Sequence, residues 1–103
     1  MALIVYRKRT MVVPLELGFD VSADTLTSEI REKASTSAPL IATWTVSFLT
    51  DGVDGKCLLT LDDSITSTIT QKKGYMDVKR VTGGEPIPLG DPIEVEFRDV
   101  VTA

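Results

Sequence analysis

Between Ile41 and Leu49, the residues Ala42, Trp44, Val46 and Phe48 share one parity, while Thr43, Thr45 and Ser47 share the other. A period of two with β-branched threonines on the polar side predicts a half-buried antiparallel strand. The pattern returns near the C-terminus, where Ile93, Val95 and Phe97 are expected to face inward and Glu94, Glu96 and Arg98 outward. Cys57, Leu59 and Leu61 form a third such face, and Leu26 and Ile30 a shorter one. Met11, Val13, Leu15 and Leu17 also alternate, but Pro14 lies among them. Proline has no N–H to give a ladder, so that strand is expected at a sheet edge or at a bulge.

Turn chemistry divides these runs. Tyr75 to Val81 reads as a strand that ends in a tight reversal at Thr82-Gly83-Gly84. Pro86, Pro88 and Pro92 keep the following stretch extended, and Gly90-Asp91 turns it into the last strand. Asp51-Gly52-Val53-Asp54-Gly55 connects two strands as a hairpin, and residues 33–39 form a polar surface loop. Asp62-Asp63-Ser64 is suited to cap a short helical turn in which Ile65 and Ile69 fall four apart. The expected fold is all-β: a small antiparallel β-sandwich or flattened barrel of six to eight strands with one short helical turn. Residues 1–103 form one domain, with 1–9 set apart as an N-terminal arm. Trp44, Val46, Phe48, Leu59, Leu61, Val95 and Phe97 are expected in one core.

Composition narrows the chemistry. Hydrophobic residues make up 43% and charged residues 25%, the balance of a globular chain rather than a disordered one. The formal net charge of −4 argues against attraction to nucleic acid or to an anionic membrane. The sequence holds no histidine, which removes Ser-His-Asp and Cys-His mechanisms and the usual zinc ligand. Cys57 is the sole cysteine, too few for an internal disulfide or a thiolate zinc site. No apolar run reaches the roughly 18 residues of a membrane-spanning helix. The N-terminus runs apolar first and basic second, the reverse of a secretory signal, so the chain is expected to stay in the compartment where it is made.

Each remaining candidate has a structural explanation. Asp51 and Asp54 suit a turn in which aspartates accept backbone N–H bonds; a calcium loop needs about five protein oxygen ligands, including a bidentate glutamate. Asp62 and Asp63 are adjacent and do not face each other as an acid–base pair would. Cys57 lies on an inward face, where a thiol behaves as a small hydrophobe. Gln71-Lys72-Lys73 and Lys79-Arg80 read as solvated surface, without the interleaved aromatics of a single-strand binder. No residue is expected to be catalytic, to ligate a metal or to hold a cofactor, and the protein is expected not to be an enzyme.

Several motifs, taken in order, carry a resemblance. They begin with Thr25-Leu26-Thr27-Ser28-Glu29-Ile30-Arg31, then Leu58-Leu59-Thr60-Leu61 followed by Asp62-Asp63-Ser64-Ile65-Thr66. Gly74-Tyr75-Met76-Asp77-Val78, Pro88-Leu89-Gly90 and the final Val100-Val101-Thr102 complete the series. Together they resemble the N-terminal domain of phage baseplate upper proteins and related short phage structural proteins, over most of the chain from Thr10 onward. Related sequences tend to carry a glycine where this one reads Ser22-Ala23-Asp24, so that turn is expected to differ. The family domain often bears a longer fibre, and here the sequence ends with the domain. The resemblance therefore implies a bacteriophage virion structural protein, made and assembled in the host bacterial cytoplasm, first as a capsid cement or decoration protein. A tail or baseplate adaptor that attaches a fibre is the second reading, and a free binding module or inhibitor the third. The implied partners are phage capsid or tail proteins; further copies of the chain, with a homodimer favoured, are expected from the N-terminal residues rather than from the resemblance.

Leu3, Ile4, Val5 and Tyr6 precede the part that carries the resemblance and are apolar on both parities before Arg7, Lys8 and Arg9 turn the run basic. A strand apolar on both faces needs cover on both. These residues are the candidate partner-binding arm, with its basic end expected to meet an acidic surface. An ordinary strand in the domain's own sheet is the alternative.

Overall fold

A computed structural model describes residues 3–102 of the chain. Eight strands form in chain order: β1 (Leu3–Tyr6), β2 (Met11–Glu16), β3 (Thr25–Arg31), β4 (Leu40–Phe48), β5 (Lys56–Leu61), β6 (Lys73–Thr82), β7 (Glu85–Pro88) and β8 (Ile93–Arg98). One short helix, α1 (Asp63–Thr66), lies between β5 and β6. The strands hydrogen-bond in the order β1-β8-β6-β3-β4-β5-β2, with β7 beside the far half of β6. The sheet is nearly closed into a flattened barrel whose open seam lies between its two end strands, β1 and β2.

β4 makes the corner. Its first part pairs with β3 through Trp44↔Ser28, and its second part pairs with β5 from Thr45↔Thr60 onward. Between Ile30↔Ala42 and Arg31↔Leu40, β4 carries one extra residue, Ile41. That bulge brings Ile41 against the core although its parity belongs to the outer face. All pairs in the ladder are antiparallel except β1 with β8, which is parallel from Leu3↔Val95 to Tyr6↔Arg98.

The main core joins Val5, Ile30, Ala42, Trp44, Leu59, Leu61, Ile69, Met76, Val95 and Phe97. Of the residues expected there, Phe48 instead packs in a second, smaller cluster around Val21, Leu26 and Cys57, and half-buried Val46 touches both. Ile93, expected to face inward, is 46% exposed. It stands at the first position of β8, opposite Met76 of β6 but short of β1, whose pairing begins only at Leu3↔Val95. Ser28 fills the inner position between Leu26 and Ile30, and its hydroxyl donates to the Asp77 carbonyl at 2.6 Å. A buried hydroxyl is tolerable there because it is paired.

The turns follow their sequence signals. Asp51 accepts from the Val53 N–H and Asp54 from the Lys56 N–H, both at 3.0 Å. Asp62 caps α1 by accepting from the Ser64 N–H. The helix ends at Thr66, so Ile65 and Ile69 do not share a helical face; Ile69 is buried and Ile65 lies at the surface. Gly83 and Gly84 both take positive φ, and Thr82↔Glu85 closes their two-residue turn.

Candidate interaction edge

Among the described residues, β1, β2 and β7 are paired along one side only, so each leaves a row of backbone groups facing outward. Which residues supply that row follows from the hydrogen bonds. In β2 the Leu17 N–H donates to the Gly55 carbonyl, so odd-numbered residues turn toward β5 and Pro14 turns away from it. Of the two places Pro14 allows, an edge or a bulge, β2 takes the edge, and the missing N–H interrupts the exposed side at its centre. In β7 the Thr82↔Glu85 pair closes the turn, so Pro86 and Pro88 direct their nitrogens outward. That edge has no donor at either proline.

β1 is different. The Arg7 N–H donates to the Arg98 carbonyl at 2.9 Å, so odd residues bond β8, and Ile4 and Tyr6 direct both N–H and C=O to the open side. Neither is proline, and Leu3-Ile4-Val5-Tyr6 carries no charge. The four residues are apolar on both parities because each face meets a different environment. Val5 is fully buried in the core with half-buried Leu3 packed beside it, while Tyr6, at 40% exposure, lies on the outer face with half-buried Ile4. The arm therefore pairs within the domain's own sheet along one side and is open along the other.

The basic end of the arm has a structural occupation. Arg7 Nε donates to the Ile69 carbonyl at 2.9 Å, its other nitrogens reach the Gln71 carbonyl and the Asp99 carboxylate, and its side chain is largely covered. Arg9 donates to the Lys8 and Thr102 carbonyls. Thr66 in turn donates its hydroxyl to the Arg9 carbonyl at 2.8 Å, and the Asp63 N–H donates to Thr10 Oγ1. The β1–β2 turn is thus clasped by residues 63–71, an arrangement the charge run alone does not reveal. Lys8 takes a left-handed conformation with φ 62° and extends from the turn into solvent.

Other polar groups are similarly engaged. Arg80 Nε lies 2.6 Å from an Asp24 carboxylate oxygen, and its guanidinium carbon stands 4.6 Å from the centre of the Phe19 ring. Hydrogen bonds from Thr82, then Arg80, hold the Asp24 carboxyl below the usual carboxylate range. On the outer face Arg31 meets Glu29 at 3.0 Å, and Arg98 meets Glu96 at 2.8 Å beside β1. Burial, with a smaller contribution from Asp54, pushes the Cys57 thiol up and keeps it protonated. Glu29 and Asp77 are direct cross-strand neighbours on the floor of a trough bounded by Thr36, Pro86 and Ile87. Among the described residues, no group of three or more histidine, cysteine, aspartate or glutamate side chains is gathered to hold a metal, and no helix is long and apolar enough to cross a membrane. The chain matches no protein-family model and no curated protein sequence.

Proposed function

We propose that this chain is a non-enzymatic structural protein of a tailed-bacteriophage virion, acting as a cement or decoration protein on the capsid shell. The observation that carries a role exerted through surfaces is the contrast between occupied chemistry and an open edge. Every arginine and each of Asp24, Asp51, Asp54 and Asp62 bonds within the fold, while β1 keeps an uninterrupted backbone edge. A catalytic group must have its polar atoms available to a substrate; these are committed to turns, caps and strand pairs. The phage assignment rests on the ordered motifs from Thr25 to Thr102, which resemble those of baseplate upper proteins and short phage structural proteins. They fall on β3, β5, α1, β6, the β7–β8 connection and the C-terminal segment.

A cement protein stabilises particles by adding contacts between shell subunits that are already assembled. Particles produced without this chain should therefore lose their DNA at lower temperature, and adding back the purified protein should restore their heat resistance. Capsids that neither bind the protein nor change stability would overturn the capsid role. Binding to isolated tails instead would place the chain as a tail or baseplate adaptor, and binding only to a soluble protein of the host or phage would make it a free binding module.

A further inference from the structure

The geometry of the open edge points to a specific partner: we propose that β1 pairs antiparallel with β1 of a second copy of this chain, about a two-fold axis at Val5. This goes beyond the virion role and does not rest on it. The β2 and β7 edges are interrupted by outward-facing proline nitrogens, so neither offers a continuous row of donors. β1 is the end strand that offers both donor and acceptor at each outward position, Ile4 and Tyr6.

Register selects the axis. In an antiparallel ladder the doubly bonded pairs join residues whose backbone groups both face the partner, which here means Ile4 and Tyr6. With the axis at Val5, Ile4 of each copy stands opposite Tyr6 of the other, so both outward positions of both strands are used. An axis at Tyr6 would set Ile4 opposite Lys8, whose φ of 62° ends the strand, and an axis at Ile4 has one doubly bonded pair within Leu3–Tyr6. Side chains agree with the same choice. Ile4 and Tyr6 share the outer face, so each Tyr6 ring, 40% exposed in one copy, would lie across from the partner's Ile4. Aromatic against β-branched is a favourable cross-strand pairing. The strand carries no charge, so two copies of net charge −4 meet there without opposing charges on the paired residues. The contact is isologous and closes on itself, giving a dimer rather than a filament.

Sedimentation velocity on the full chain across the micromolar range tests this. Wild type should show a concentration-dependent species of twice the 11.2 kDa chain mass. Ile4→Pro removes an N–H that points away from β8, as Pro14 does on β2, so it should stay folded and raise the dimer dissociation constant about tenfold or more. A second pair of variants keeps every N–H. Ile4→Lys with Tyr6→Lys places like charges opposite each other and should be monomeric, whereas Ile4→Glu with Tyr6→Lys places opposite charges together and should dimerise. A monomeric wild type would overturn the proposal. So would a folded Ile4→Pro variant that dimerises as well as wild type, a lysine pair that still dimerises, or a Glu–Lys variant as monomeric as the lysine pair. Should Ile4→Pro not fold, the two charge variants decide alone.

Discussion

Trp44 is the largest side chain in the main core, at 3% exposure, and β4 changes partner immediately after it, from β3 to β5. Truncation to alanine removes the indole from contact with both parts of the sheet. Such a deletion costs about 3–5 kcal/mol when the surroundings relax only partly. Against a total stability of about 5–15 kcal/mol for a domain of this size, that is a large fraction, and it lowers Tm by roughly 15–30 °C. Phenylalanine gives a sharper contrast. Among the described residues the indole Nε1–H has no hydrogen-bond partner, so no protein acceptor loses a donor when it is removed. The cost is then the lost ring volume, about 1–2 kcal/mol. Urea and thermal unfolding followed by far-ultraviolet circular dichroism measures both variants, because tryptophan fluorescence disappears with the only tryptophan. A Trp44→Ala protein within about 1 kcal/mol of wild type would show that the residue does not anchor the core. A Trp44→Phe protein as unstable as Trp44→Ala would contradict a cost set by lost ring volume.

Gly74→Ala should cost about 1–3 kcal/mol in the same unfolding assay, since the new Cβ would stand 2.8 Å from Ile41 Cδ1 and 2.9 Å from both the Arg31 carbonyl oxygen and Ile30 Cγ2; a neutral effect would refute that packing. Gly55→Ala should destabilise as well, because φ is +74° and the Cβ would overlap the Phe19 carbonyl oxygen, and amide exchange in residues 17–24 should accelerate; unchanged exchange there would contradict it. Hydrogen bonds hold the Asp20, Asp24 and Asp62 carboxyls below their ordinary value, so their contribution is fully present above the unfolded carboxylate pKa of about 3.9 and is lost as pH falls through the lower folded values. Stability should therefore drop below about pH 4, and Asp24→Asn should be weaker at neutral pH with a shallower acid drop, whereas an identical acid profile would sink that linkage. Cys57 is 1% exposed with its thiol pKa pushed up, so Ellman's reagent should label it at the rate of unfolding; rapid labelling of the native protein would contradict its burial.

Parity made much of the fold legible. Trp44, Leu59, Leu61, Val95 and Phe97 sit in the core because a strand's side chains alternate and its neighbours agree on the inner face. Alternation gives the facing of a residue but not its depth, which is why Ile93 has inward parity and still lies open at the end of β8. It also does not say which part of a bent sheet a residue joins, so Phe48 belongs with Val21 and Leu26 rather than with Trp44. A bulge reverses facing locally, and no residue type near Ile41 announces one. Strand direction is equally silent in a hydrophobic pattern: β1 is parallel to β8, although every other pair in the ladder is antiparallel. At the candidate edge, Pro14 gave a readable signal because its missing N–H has a direct consequence for pairing. The two-sided apolarity of residues 3–6 was readable as well, but its cause was not, since one side chain row enters this domain's own core. The clasp on Arg7 joins residues more than sixty positions apart, a separation that local reading of a basic run does not reach.

The proposed virion role is tested most directly by a count of chains per particle. Quantitative mass spectrometry of washed virions, with the major capsid protein as internal standard, should give copies on the order of hundreds and in fixed proportion to the shell subunits, as point-group symmetry requires of a cement protein. A handful of copies would move the chain to the tail, and none at all in particles from cells that make it would remove it from the virion.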